Sequence, residues 1–284
     1  VRVSVLIPCY NRAEHIEQVI WSVAAQTHPP DEIVVVDDAS TDGSVDVLDE
    51  LPVTLLQHEH NRGPSAARNT ALNAATGDIV LYIDADAYAE PNLIEVLLQA
   101  YRQLSGRPVG GIGGRGIESN IGSVFDRWRA IHARQDFGAK PRLGVPYLFG
   151  LCCSYRREVL LQIGGWDEYY PINAGEDADV GYRLQKAGFK LFYTPEAIVY
   201  HQHEDTEDSL KRVQYNWFYW SYVAKSRTRS HPWTMPAGTL RRLFVDTAAD
   251  LLFRRDVTLV KLDLEMFWIK AGAFLDVRWR QPPK

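Results

Sequence analysis

Two aspartates one residue apart, Asp84 and Asp86, end the run Val80-Leu81-Tyr82-Ile83 and are the first candidates for chemistry in this sequence. An apolar run of that length, bounded by Gly77-Asp78 and Pro91, reads as a buried strand. Residues two apart on a strand share a face, so both carboxylates can project toward one site beyond the strand end. Unpaired carboxylates at the mouth of an apolar strand are costly unless a cation joins them. A divalent cation carrying a diphosphate would meet that need, because hard cations take oxygen ligands and share them with substrate phosphates. The same spacing also suits an exposed turn with incidental acids.

The elements that would position these acids are legible on either side. Strand-like runs at 3–7, 32–36, 53–57 and 80–83 alternate with helical patterns over 11–26, around 45–51 and over 63–75. That rhythm predicts an α/β fold with a parallel sheet and helices on both faces. Ligands of such sheets bind outside the carboxyl ends of the strands. Three polar clusters, 8–12, 37–40 and 84–86, fall at those ends. No Gly-x-Gly-x-x-Gly turn or Walker loop follows the first strand, which disfavours dinucleotide dehydrogenases and P-loop enzymes. Beyond Pro91, the pattern predicts helices over 94–104 and 124–131, a glycine-laden strand or turn at 109–115, and a strand over 147–155. Gly175-Glu176-Asp177-Ala178-Asp179 opens a further helix that Gly188 stops, and short strands follow at 191–193 and 198–201.

Composition narrows the class. The 284 residues can bury one large core or two modest ones, and 46% hydrophobic with 24% charged residues is ordinary for a globular protein. A net charge of −5 argues against nucleic acid as a partner. Cys9, Cys152 and Cys153 fit neither a disulfide framework nor a metal site, so a reducing cytoplasm is the expected compartment, extending to the inner face of a membrane. Residues 1–7 read as a strand rather than a signal peptide, and no apolar run reaches membrane-spanning length.

The fragments, taken in order, resemble the family 2 glycosyltransferases, whose catalytic domain has the GT-A fold, a Rossmann-like, mainly parallel sheet flanked by helices. They are Val5-Leu6-Ile7-Pro8-Cys9-Tyr10-Asn11-Arg12, Val35-Val36-Asp37-Asp38-Ala39-Ser40-Thr41-Asp42, Asn61-Arg62-Gly63 through Ala67-Arg68-Asn69, and Asp84-Ala85-Asp86. Ile163-Gly164-Gly165-Trp166-Asp167-Glu168, Glu176-Asp177-Ala178-Asp179 and Val199-Tyr200-His201 continue the series. The resemblance implies a catalytic domain over 1–205, with a nucleotide-binding half to about 105 and an acceptor half over 106–205, and leaves 206–284 as a helical extension. It also implies transfer of a sugar from a nucleotide donor, UDP-sugar favoured, to a hydroxyl of a glycan or lipid-linked acceptor, with inversion. The sheet is shared with nucleotidyltransferases that make sugar nucleotides, and a non-catalytic sugar-nucleotide-binding scaffold subunit is the other alternative.

Carried over residue by residue, the resemblance implies nucleotide contacts from Pro8, Tyr10, Arg12, Asp37, Asp38, Arg68 and Asp84. Asp38 would accept the imide N–H of uracil, Arg68 would stand near base and diphosphate, and Asp84 would meet the ribose. Asp86 and His201 would hold Mn2+ or Mg2+, with His203 a weaker candidate. Asp177 would be the catalytic base, its pKa raised by Glu176 and Asp179, and Trp166, Glu176 and Asp179 would line the acceptor site. Each has a plainer reading: Asp38 as a turn or cap residue, Arg68 as a solvated helix arginine, and His201 as a structural histidine. The triplet at 176–179 also suits the start of a helix, and Trp166 suits a core.

The extension crowds Tyr215, Trp217, Phe218, Tyr219, Trp220 and Tyr222 before Lys225, Arg227 and Arg229, with Arg241-Arg242, Arg254-Arg255 and a helical pattern over 260–277 farther on. Aromatic residues beside basic ones suit a bilayer interface. Packing on the catalytic domain or in a homodimer is the reading preferred, because Asp246, Asp250, Asp263 and Glu265 interrupt the basic character.

Overall fold

Short unbroken runs of Val, Ile and Leu leave no polar face for either a helix or a half-wet strand, and they become fully buried strands of one sheet. In the computed structural model, β1 (Val3–Cys9), β2 (Glu32–Asp37), β3 (Thr54–Gln57) and β4 (Ile79–Ile83) run parallel in the order β3-β2-β1-β4. Helices α1 (Ile16–Ala24), α2 (Ser44–Asp49) and α3 (Pro64–Ala74) connect them. The structure describes residues 1–228 and 237–280, leaving aside the side chains of 237–242 and 280. Arg229 and the side chains of Arg241 and Arg242 therefore lie outside the described residues.

The described residues divide into two compact units, 1–119 with 135–202, and 120–134 with 203–228 and 237–280. The first contains the whole sheet. To the parallel half it adds β5 (Ala87–Ala89), β6 (Val109–Glu118), β7 (Arg142–Leu143), β8 (Cys152–Arg156) and β9 (Lys190–His201). Here the pairing turns mixed: β8 runs antiparallel to both β4 and β6, whereas β6 and β9 are parallel. Helices α4 (Leu93–Gln103), α6 (Arg157–Gln162) and α7 (Glu176–Lys186) complete this unit. Alternate side chains feed two cores. Val5, Ile7, Leu81 and Ile83 face α1 and α4 on one side, and Leu6, Val34 and Tyr82 face α3 and α7 on the other. Burying each such side chain fully contributes about 1.5–3 kcal/mol. Ala67 and Ala71 on α3 are small enough to let that helix lie close to β1 and β2.

Several expectations shift. The strand expected over 147–155 begins only at Cys152, and the two short strands near 191 and 198 are one strand, β9, whose register against β6 slips between Gly113 and Arg115. The strands β5 and β7 and the helix α6 are not foreshadowed by the sequence pattern, since two- and three-residue strands carry no readable period.

The second unit is helical: α5 (Val124–His132), α8 (Glu207–Thr228), α9 (Ala237–Ala249), one turn of π-helix at Asp250–Arg254, and α10 (Val257–Arg280). A capping box, Ser123 with Asp126, starts α5. The expected acceptor half included this helix, but its buried face belongs with the tail. Trp128 Nε1 donates to Asp263 Oδ1 at 2.9 Å, and Arg129 forms a buried ion pair with Asp205. The aromatic run of α8 is largely internal. Trp220 and Tyr222 are buried, the Tyr222 ring meets Phe274 edge to face at 5.3 Å, and Tyr215 donates to Asp276 at 2.6 Å. No helix of the described residues is long and apolar enough to cross a membrane.

Candidate active site

The loops after β1 and β2 hold each other in an unfavourable conformation. Asn11 and Ala39 adopt φ values of 52° and 63°, a left-handed geometry that costs non-glycine residues about 1–3 kcal/mol each. It is maintained by cross-bonds: Asn11 N donates to Ser40 Oγ at 2.9 Å, and Thr41 N donates to Asn11 Oδ1 at 2.8 Å. These loops frame the carboxyl end of β4, where the chain leaves the sheet through Asp84 and Asp86.

Arg68 is the joint between the end of β4 and the start of α7. Only 1% exposed, it donates from Nη1 to Glu176 Oε1 at 2.9 Å and from Nη2 to Asp84 Oδ1 at 3.3 Å. Its guanidinium lies 4.6 Å from the Trp166 ring centroid. Burial raises the carboxyl pKa of both Asp84 and Glu176, and the charge of Arg68 opposes the rise in each case. Arg68 Nε and Glu176 Oε2 are buried without a hydrogen-bond partner, an arrangement that leaves donor and acceptor capacity inside the site. Gly150 lies directly against this pair: a Cβ there would stand 3.1 Å from Arg68 Nη2.

Next along α7 is Asp177, half-buried, with its Oδ1 accepting from Ala178 N at 2.7 Å. Gly175, at φ 85°, makes the left-handed turn that starts the helix and leads into these acids. Burial foremost, and then the neighbouring Glu176 charge, pushes the Asp177 pKa up to about 7. A carboxylate so tuned takes a proton readily near neutral pH.

Three strands assemble the other cluster. Register puts Glu118 of β6 and Ala87 of β5 on either side of His201 of β9. His201 Nε2 lies 3.5 Å from Asp86 Oδ1, and Nδ1 lies 2.9 Å from Glu118 Oε2. Burial opposes charge on the imidazole, but the bonds to Asp86 and Glu118 outweigh it and push its pKa up to about 10. Arg12 Nε donates to Asp86 Oδ2 at 3.0 Å. His203 belongs to the second unit, its Nε2 3.3 Å from Asp205.

Other expected site residues stand differently. Asp38 is 3% exposed, and its oxygens accept from Arg62 N at 2.9 Å and Gly63 N at 2.8 Å while meeting His58 Nδ1 at 2.6 Å. It ties down the 58–63 loop from the end of β2. Asp37 accepts from Ser40 N with Oδ2, and its buried Oδ1 lacks a partner. Pro8 is half-buried within β1, and Tyr10 is exposed just beyond it. Trp166, 1% exposed, packs edge to face on Tyr82 and Tyr155 and beneath Arg68. Asp179 points inward to Arg183 Nε at 2.6 Å, because helical spacing turns it away from Asp177. A cleft of about 420 Å³ lined by Arg107, Arg156, Glu158 and Phe189 contains none of these groups.

Residues 4–164 match the sequence family described as glycosyl transferase family 2. The chain belongs to glycosyltransferase family 2. Among its relatives is the pre-mycofactocin glycosyltransferase of Mycobacterium tuberculosis, 30% identical over 210 residues, 71% of this chain and 43% of that protein. This chain thus spans less than half the length of the mycobacterial relative. The glucosyl-dolichyl phosphate glucuronosyltransferase of Haloferax volcanii is 28% identical over 233 residues, covering 76% of this chain and 72% of that one. A similar solved structure is the mannosyltransferase PcManGT from Pyrobaculum calidifontis in complex with GDP-Man and Mn2+, with a TM-score of 0.67 and 21% identity over 99% of this chain and 88% of that chain. The likeness identifies the fold as GT-A.

As a glycosyltransferase, the chain holds residues at this site that sequence reasoning missed. Glu118 lies at the end of the glycine-laden β6, with nothing in its neighbourhood to mark it. His58 and Gly150 matter through partners 20 and 82 residues away, Asp38 and Arg68. Pairings of that kind become visible only when the strands are in register.

Proposed function

We propose that this glycosyltransferase moves a sugar from a nucleoside-diphosphate donor to a hydroxyl of a glycan or lipid-linked acceptor, with inversion, and that Asp177 is the base. The observation that carries the reading is the Arg68 bridge. It links Asp84, at the end of the donor half of the sheet, to Glu176, so one buried cation joins a donor-side carboxylate to the residue next to the prospective base. Asp177 would accept the acceptor hydroxyl's proton as the hydroxyl attacks the anomeric carbon, and the bond to the diphosphate oxygen would break on the opposite face.

Asp86 and His201 are a chemically suitable pair for a divalent cation, one oxygen and one nitrogen donor. Glu118 on the far ring nitrogen of His201 is the kind of outer partner that ligating histidines usually have. The cation would supply positive charge to the departing diphosphate. Arg12 holds Asp86 in orientation, and Asp84 would take a ribose hydroxyl. A UDP-sugar is the first donor to examine, with Asp38 and Asp37, whose buried Oδ1 lacks a partner, as the carboxylates that would meet the base. The mannosyltransferase complexed with Mn2+ and the relative acting on a dolichyl phosphate support the metal and the lipid-linked acceptor respectively.

A thermal-shift screen of UDP, GDP, CDP and dTDP, each with and without Mn2+, tests donor and metal together. The expected result is a selective rise in melting temperature for one diphosphate that needs the metal. If no nucleotide changes the melting temperature under either condition, the proposal is wrong.

A further inference from the structure

The second unit leaves apolar surface outside. Ten of the sixteen exposed large apolar side chains among the described residues fall between Phe244 and Trp279. On α10 they follow a strict period: Val257, Leu264, Trp268, Leu275 and Trp279 are spaced 7, 4, 7 and 4 apart, which puts them within one narrow stripe of an α-helix. Trp268 is 71% and Trp279 76% exposed. The opposite side of the same helix, Leu259, Leu262, Met266 and Val277, is buried within the unit. A helix apolar on both sides has a second apolar neighbour to meet. Beside it, the π-turn presents Leu251, Leu252 and Phe253, the last 85% exposed, followed at once by Arg254 and Arg255.

Charge indicates what that neighbour is. The second unit carries 17 Lys and Arg against 11 Asp and Glu, a net of +6, whereas the first carries 14 against 25, a net of −11. Asp126, Asp205, Asp250, Asp263 and Arg129 are buried, which leaves 11 basic against 7 acidic side chains toward the surface among the described residues. A second copy of this chain would bring two positively charged faces together. An anionic lipid surface complements both the charge and the tryptophan, leucine and phenylalanine beside it.

We propose that the second unit docks on an anionic bilayer, with α10 lying in the interface plane and Phe253 of the π-turn inserted among the lipids. At 24 residues α10 extends about 36 Å, and Lys261, Glu265 and Lys270 keep it from crossing. The aromatic run of α8, which first suggested a bilayer in the sequence, is not the contact. The insertion is made by residues 251–279. This inference stands apart from the transferase reading, because vesicle binding requires neither donor nor catalysis.

The test is sedimentation of the full chain with phosphatidylcholine vesicles, with and without added phosphatidylglycerol. Binding is expected only with the anionic lipid and should weaken as salt is raised. Leu252→Ser with Phe253→Ser, and separately Trp268→Ser, should each lower the partition coefficient at least about tenfold, since each removes a large inserted apolar group. Both variants change exposed positions, and unaltered circular dichroism would confirm that they fold. No sedimentation with anionic vesicles would overturn the proposal, as would wild-type binding by both variants. So would light scattering that finds a dimer which Trp268→Ser converts to monomer, since the stripe would then be covered by a second copy.

Discussion

The two units break opposite rules of burial. In the sheet unit, carboxylates crowd into a poorly solvated cluster: half-buried Asp84 and Asp177 and buried Glu176 all have raised pKa values, with burial as the leading cause in each case. In the helical unit the buried Asp205 is fully engaged, by Arg129, Ser209 and His203, and its carboxyl is held well below the usual range. What that unit leaves unresolved is apolar and outside, at Phe253, Trp268 and Trp279. Each departure costs stability in isolation, and each suits a companion proposed above: a charged, hydroxylated substrate in one case, a lipid surface in the other.

The contrast can be attacked first where the effect is largest. Asp177→Asn is expected to reduce transfer about a thousandfold, in the range for losing a general base, while calorimetry finds nucleotide affinity nearly unchanged. Wild-type turnover in that variant would remove Asp177 from the chemistry. Arg68→Met should destabilise the chain by about 3–5 kcal/mol in denaturant unfolding, because it leaves Glu176 buried without its countercharge. If the loss is below about 1 kcal/mol, Arg68 is not the joint described above. Asp86→Ala should weaken metal-dependent diphosphate binding about tenfold or more and leave any metal-independent binding intact.

The smallest effects are in pH dependence, and the two units should differ in sign. The folded pKa of Asp177, about 7, is above its ordinary value of 3.8, so its contribution to stability is fully present below 3.8 and is lost as pH rises through about 7. Asp177→Asn should therefore melt a few degrees higher than the wild type at pH 8 and show no such gain at pH 4. The same titration should appear in the wild-type rate, with kcat/KM climbing about tenfold per pH unit until near pH 7 and then levelling off. Asp205 is shifted downward, so its contribution is present above 3.8 and is lost as pH falls through its depressed folded value. Asp205→Asn should melt lower at neutral pH, with the deficit shrinking in strong acid.

Much of the sheet unit was readable because its strands are complete apolar runs. Burial on both faces leaves an unmistakable block at 32–37, in which Ile33 to Val36 are all buried, and the acids at 84 and 86 follow such a block directly. The packing partners of Asp38, Trp166 and Asp179 were not readable, since each depends on where its side chain points. Backbone amides from 62 and 63 occupy Asp38, Tyr82 and Tyr155 enclose Trp166, and Arg183 one turn along α7 claims Asp179. In the tail, aromatic density drew attention to 215–222, where the rings are largely packed. The uncovered stripe of α10 is less conspicuous because leucine and valine dilute its two tryptophans.

The reversal of direction at β8 has a further consequence. Because β8 enters the sheet beside the end of β4, with Cys152 opposite Ile83, the segment that precedes it is delivered to the same rim from which Asp84 and Asp86 emerge. Residues 137–149 include β7 and the buried Val145 and Leu148, but none of them pairs with β4. Gly150 is the fixed post at the end of that stretch, since a side chain there would press on Arg68.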